Sequence, residues 1–110
     1  MQAFEITELI TRQNQSSQDY LEIFKVPDLS VGLYTLPAGG VDKQTPHTED
    51  EIYYVLAGSA TVLVGNENRE VSTGSLIYVP ANVEHNFHSI INELRLLVVF
   101  APAEYTKAPK

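Results

Sequence analysis

The run Thr45-Pro46-His47-Thr48-Glu49-Asp50-Glu51, followed by Ile52-Tyr53-Tyr54-Val55-Leu56-Ala57-Gly58, decides how this chain is read. Its second half is aliphatic, β-branched and aromatic and stops at a glycine, the composition of a strand that ends in a turn. Its first half is the densest cluster of hard metal-ligand types in the sequence. On an extended backbone, residues an even number apart share a side, so Thr45, His47, Glu49, Glu51 and Tyr53 fall on one face and Thr48, Asp50 and Tyr54 on the other. Gln44 has the wrong parity for that face and reaches it only through a bulge. For Glu49 and Asp50 the expectation is a solvated acidic edge; for Tyr53 it is a core aromatic with its hydroxyl at a pocket rim.

Outward from this stretch the texture repeats. Short runs rich in Val, Ile, Leu, Tyr and Phe are punctuated about every ten positions by Gly, Pro, Asn or Asp. Strands are expected over 20–26, 30–36, weakly over 41–47, and over 51–57, 59–64, 69–71, 75–79, 84–90 and 94–101, with turns at Pro27-Asp28, 37–40, 65–68, Thr73-Gly74, 80–82 and Asn92-Glu93. Ala60, Val62 and Val64 alternate with Ser59, Thr61 and Leu63, which gives that strand one buried and one half-wet face. The segment 94–100 (LRLLVVF) is more uniformly apolar and reads as buried or set against a partner. One short helix is expected over 5–13, where Ile6, Leu9 and Ile10 share a face, followed by a polar loop over 13–18. No gap between strands holds a crossover helix, so parallel βαβ units are excluded and an antiparallel sandwich or closed barrel remains. The end of the chain after Pro102 is polar and reads as frayed.

Composition narrows the chemistry. At 110 residues the expectation is one domain spanning 1–110. Seven basic against fourteen acidic side chains leave a formal charge of −7, which repels phosphate backbones and anionic lipid surfaces, so neither nucleic acid nor membrane is an expected partner. There is no cysteine, hence no disulfide, no thiolate nucleophile and no sulfur-ligated metal. With no apolar run near the length of a membrane span and no secretory pattern at Met1-Gln2-Ala3-Phe4-Glu5, a soluble, cytoplasmic protein is expected.

The three histidines then carry the metal question. His85 follows the turn at 80–82 and opens a strand. In a small antiparallel barrel this strand and the one carrying Glu51 can be neighbours, which would aim His47, Glu51 and His85 into one interior. Two imidazoles and one carboxylate suit a borderline divalent metal that keeps open positions. His88, three residues from His85, faces the other side and reads as a surface or interface residue. No Ser/His/Asp arrangement has supporting context, and Gly39-Gly40 precedes no helix and reads as a turn rather than a phosphate loop.

At these residues the sequence resembles the cupin superfamily. That family's first motif runs Gly, five residues, His, one, His, three or four, Glu, six, Gly; here Gly39, Thr45, His47, Glu51 and Gly58 stand at those places. The second runs Gly, five, Pro, one, Gly, two, His, three, Asn; here they are Gly74, Pro80, Asn82, His85 and Ser89. The resemblance implies an all-β, double-stranded β-helix (jelly-roll) barrel over about 20–102 with the short N-terminal helix outside it, a homodimer, and a divalent transition metal (Fe, Mn, Ni or Zn; Cu in some members) on His47, Glu51 and His85. Thr45 replaces the first motif histidine, so a three-histidine set is not available, and either Gln44 or Thr45 is left to fill the vacated place. Gln44 and Tyr53 are the catalytic candidates, and Tyr34, Tyr53, Leu63, Tyr78 and Phe87 the expected specificity residues. The implied function is action on a small polar molecule, by dioxygenase-like or metal-assisted isomerase or lyase chemistry. Two alternatives stay open: a non-catalytic small-ligand binding or sensing module, and a metal-free epimerase-like barrel with a histidine base and a tyrosine acid.

Overall fold

In the computed structural model, which describes residues 1–44 and 46–104, the chain runs α1 (Ile6–Ser16), β1 (Tyr20–Val26), β2 (Leu29–Leu36), β3 (Asp50–Val64), β4 (Glu67–Ser72), β5 (Leu76–Val79) and β6 (His85–Ala101). All strand pairs are antiparallel, in the order β1-β2-β6-β3-β4, with β5 also on β3.

Two long strands organise the molecule. β3 and β6 pair along nearly their whole length, from Asp50 opposite Ala101 to Val64 opposite His85. The first part of β3 lies between β5 and the end of β6, and its second part between β4 and the start of β6. Each long strand therefore serves both halves of the roll. Sequence reading divided each of them in two, at Gly58 and at Asn92-Glu93. The structure instead bends them past one another, with register shifts between Val55 and Thr61. Gly58 has φ 96°, and a Cβ there would collide with the Glu93 carbonyl oxygen. Its glycine marks a close crossing of two backbones rather than a hairpin turn.

Alternation then sets the core. Leu94, Leu96, Val98 and Phe100 on β6 are buried and meet Val55 and Val62 of β3, while Arg95, Leu97 and Val99 between them are half-buried. The apolar run at 94–100 is thus an ordinary alternating strand with a partner on each edge, β2 on one side and β3 on the other. That run itself therefore has no open edge.

Three segments depart from the sequence reading. The helix continues through Ser16, because Gln13 is buried rather than exposed: its Nε2 donates to the carbonyls of Asp19 (2.9 Å) and Leu33 (3.1 Å), and its Oε1 accepts from Thr35 Oγ1 (3.0 Å). The weak strand at 41–47 is absent among its described residues. The Phe87 N–H is taken by the Asp42 carboxylate (2.9 Å), and Pro46 has no N–H to give to a ladder. Finally, the chain after Pro102 is tied down as far as Glu104. Ala103 is fully buried, its N–H donates to Pro27 O (3.3 Å), and Glu104 N–H donates to Ser30 Oγ (2.9 Å). Residues 105–110 of the expected frayed tail lie outside the described residues. Among the described residues no helix is long and apolar enough to cross a membrane.

Candidate functional site

Glu51 and Tyr53 leave the inward face of β3 near its start, and His85 opens β6 on the opposite wall. All three are buried. His47 comes from the irregular segment before β3, which is pinned where Asn82 N–H donates to His47 O (2.6 Å). One ligand atom from each of His47, Glu51 and His85 falls within 4.8 Å of the others.

Their chemistry is unusual for a packed interior. His85 Nδ1 lies 2.9 Å from Val83 O. An N–H on Nδ1 satisfies that carbonyl and leaves the Nε2 lone pair pointing inward. Nε2 stands 3.1 Å from Glu51 Oε1 and Tyr53 also interacts with Glu51, but among the described residues neither Nε2 nor either Glu51 oxygen makes a well-aligned hydrogen bond. With His85 neutral, two acceptors face each other. A buried carboxylate left this way is costly, and a cation, whether a proton or a metal ion, relieves it.

The titration of the two rings follows. Burial works against charge on His85, but Glu51 and the Val83 carbonyl more than offset it, and its pKa lies above the usual 6.5. Burial dominates at His47 and, with the neighbouring His85, pushes it below 6.5 against the opposing pull of Glu51, Glu49 and Asp42. The His47 ring also stands edge-on to Phe100, with centroids 4.7 Å apart. Its Nε2 is 3.4 Å from Gln44 Oε1 and its Nδ1 3.9 Å from Glu104 Oε2.

A cavity of about 260 Å³ opens on this group, lined also by Tyr20, Tyr34, Gln44, Tyr53 and Glu104. Tyr53 is fully buried and its hydroxyl donates to Gln44 Oε1 (2.9 Å). Burial and the Glu51 charge push the Tyr53 pKa well above 10, so it acts as a protonated donor. Both catalytic candidates from the sequence thus enter the cavity.

Other expectations are corrected. Tyr78 is 58% exposed and donates to Asp50 Oδ1 (3.2 Å), outside the barrel. Leu63 lies on the opposite face of β3 from buried Val62, and Phe87 sits behind Tyr53 at 5.0 Å, edge to face, rather than in the cavity lining. Glu49 is only 1% exposed and meets the Thr48 hydroxyl, so the solvated acidic edge reduces to Asp50, which accepts from Ala81 N–H (2.9 Å). His88 faces outward as expected, 2.7 Å from Asn68 Oδ1. Whether Thr45 fills the vacated motif place falls on a residue outside the described ones.

Sequence reading missed Asp42 and Glu104. Asp42 is buried and accepts from Tyr34 OH (2.8 Å), Gln44 Nε2 (2.7 Å) and Phe87 N–H (2.9 Å). Its signal was an acidic residue two places before Gln44 in the stretch between the Gly39 turn and His47. Glu104 had no local signal, since it reaches the cavity only because Ala103 and Ser30 anchor the returning chain.

The family model Cupin_2, the cupin domain, matches residues 32–100. An uncharacterized protein of Streptomyces coelicolor is 46% identical over 104 residues, covering 94% of this chain and 99% of the relative. A crystal structure from Thermus thermophilus superimposes with a TM-score of 0.77 at 28% identity, covering 94% of this chain and 99% of the other. The DMSP lyase of Ruegeria pomeroyi shares the fold at a TM-score of 0.69 and 24% identity, over 74% of this chain and 45% of the lyase. With its motif spacings, its paired long strands and the match over 32–100, the chain belongs to the cupin family and its fold is the jelly-roll barrel.

Proposed function

We propose that residues 1–110 are one cupin domain, with its barrel core over about 20–102, that holds a divalent transition metal (Fe, Mn, Ni or Zn) on His47, Glu51 and His85 and acts on a small polar molecule in the adjoining cavity. The supporting observation is the convergence of three buried polar atoms, Glu51 Oε1, Glu51 Oε2 and His85 Nε2, that make no well-aligned hydrogen bond among the described residues. Two donors bonded to one ion at about 2.1 Å stand roughly 3.0–3.4 Å apart. The 3.1 Å between His85 Nε2 and Glu51 Oε1 fits that separation.

A bound divalent ion supplies Lewis acidity toward an oxygen-bearing ligand. The chain's own residues do the rest. Val83 O fixes the His85 tautomer, the Tyr53 hydroxyl holds Gln44 Oε1, and Phe100 and Val98 keep one wall of the cavity apolar. Dioxygenase-like and isomerase or lyase chemistry both suit this donor set; the lyase of Ruegeria pomeroyi is an analogy of fold alone. A cytoplasmic location and a homodimer complete the proposal, with neither nucleic acid nor membrane as partner.

A second reading, a small-ligand binding or sensing barrel without catalytic metal, is favoured by one observation. A proton on His85 Nε2 satisfies Glu51 as a metal would, in keeping with the raised pKa of that ring. The metal-free epimerase-like alternative would need a tyrosine acid, and Tyr53 OH is directed at Gln44. Elemental analysis of the purified protein beside a His85→Ala variant separates these. Stoichiometric metal that disappears in the variant is the expected result; a metal-free, folded wild type would overturn the proposal. Oxygen uptake with a panel of enolic and aromatic diols then divides enzyme from binder.

A further inference from the structure

We infer that Gln44 presents its carbonyl oxygen to the metal position as a fourth donor, and that Asp42 is the residue that holds it in that orientation; the inference rests on the metal reading above. A glutamine amide has a donor end and an acceptor end, and only the acceptor end serves a cation. Asp42 decides which end faces inward. Its ionised carboxylate can only accept, and it takes three donors: Phe87 N–H (2.9 Å) and Gln44 Nε2 (2.7 Å) on Oδ2, and Tyr34 OH (2.8 Å) on Oδ1. With the NH₂ end engaged there, Gln44 Oε1 points the other way.

On that side it accepts from Tyr53 OH (2.9 Å), a contact compatible with the assignment because a phenol donates to a carbonyl oxygen. It also lies 3.4 Å from His47 Nε2, within the separation expected of two donors sharing one ion. A carbonyl oxygen has two lone pairs, so the Tyr53 hydroxyl leaves one free. The parity that argued against Gln44 does not apply, because the described residues of the segment form no strand. It is pinned instead by Gly39 N–H to Ile90 O (2.9 Å), by Asp42 to Phe87, and by Asn82 N–H to His47 O (2.6 Å). The resulting donor set is two nitrogens and two oxygens, harder than a three-histidine site and suited to Mn²⁺ or Fe²⁺.

The test is a titration of metal-stripped protein with Mn²⁺ for affinity and with Co²⁺ for its visible absorption. Wild type is compared with Gln44→Ala, Asp42→Ala and the double variant Asp42→Ala with Gln44→Glu. In Asp42→Ala the Gln44 NH₂ group loses the acceptor that holds it, and the amide is free to turn its NH₂ toward the ion. Affinity is expected to fall roughly 10–100-fold in each single variant, with a shifted Co²⁺ band. In the double variant the new carboxylate at position 44 presents an oxygen whichever way it turns, and affinity should recover toward wild type. If both single variants bind with wild-type affinity and spectrum while His85→Ala binds nothing, the inference is overturned and the metal reading stands. If the double variant is as weak as Asp42→Ala alone, Asp42 merely folds the segment and its positioning role is overturned. A folded wild type that takes up neither ion overturns the metal reading itself.

Discussion

β3 and the segment that leads into it, residues 37–49, meet at one site but are fixed by different means. In β3 the backbone ladder sets every residue, so Glu51 and Tyr53 point in and Ile52 and Tyr54 point out, as parity requires. In the segment before it, side chains and isolated backbone bonds do the fixing: Asp42 to Phe87, Gly39 to Ile90, Asn82 to His47. The lesson is that period-2 reading holds where a ladder exists and fails where side chains replace it, and this site draws on both.

The largest expected effect breaks the ladder side of that contrast. Gly58→Ala introduces a Cβ into the Glu93 carbonyl at a positive φ, combining overpacking with backbone strain. A loss of about 3 kcal/mol or more is expected in chemical denaturation. A loss below about 1 kcal/mol would mean that the two long strands do not cross there.

A smaller effect tests the side-chain mode at a second place. Gln13→Ala removes the three hydrogen bonds that tie α1 to Asp19, Leu33 and Thr35 and leaves Leu33 O without its donor from the helix. The expected cost is about 1–3 kcal/mol, with hydrogen exchange accelerated in α1 and β1 rather than in β3.

The smallest effect is one of pH, and it sharpens the comparison because His47 comes from the side-chain-fixed segment and His85 from a ladder strand, β6. His47, below 6.5 when folded, resists protonation, so stability should rise with pH toward 6.5. His85, above 6.5 when folded, contributes stability that is complete below 6.5 and is lost as pH rises through its folded value. Metal-stripped protein should therefore be most stable near pH 6.5, and His85→Ala should abolish the alkaline decline. A stability that climbs steadily from about pH 5 to pH 8.5 would refute this pairing.

How much of this was legible in the sequence follows the same divide. β1 was read at its observed bounds, and the expected alternation holds at Ala60 and Val62 against Ser59, Thr61 and Leu63 because ladders make burial periodic, while Val64 at the strand end is half-buried. The spacing of His47, Glu51 and His85 led to three residues whose ligand atoms the fold brings together. Gly58 was seen but misjudged, since a glycine needed for a close crossing looks like a glycine needed for a turn. Asp42, the burial of Glu49 and the return of Glu104 were not legible. Each depends on a partner far along the chain or on hydrogen bonds that leave no period, and outward Tyr78 shows that an aromatic in a short strand does not declare its face.

The central claim is that the buried Glu51–His85 pair awaits a metal rather than a proton. Isothermal titration of chelator-treated protein with Mn²⁺ or Zn²⁺ at about pH 7.5, followed by thermal unfolding of the same samples, tests it most directly. The account predicts about one ion bound per chain, protons released on binding, a higher Tm in the loaded protein, and neither heat nor Tm shift in His85→Ala. A folded wild type that binds no ion and keeps the same Tm with and without metal would contradict it.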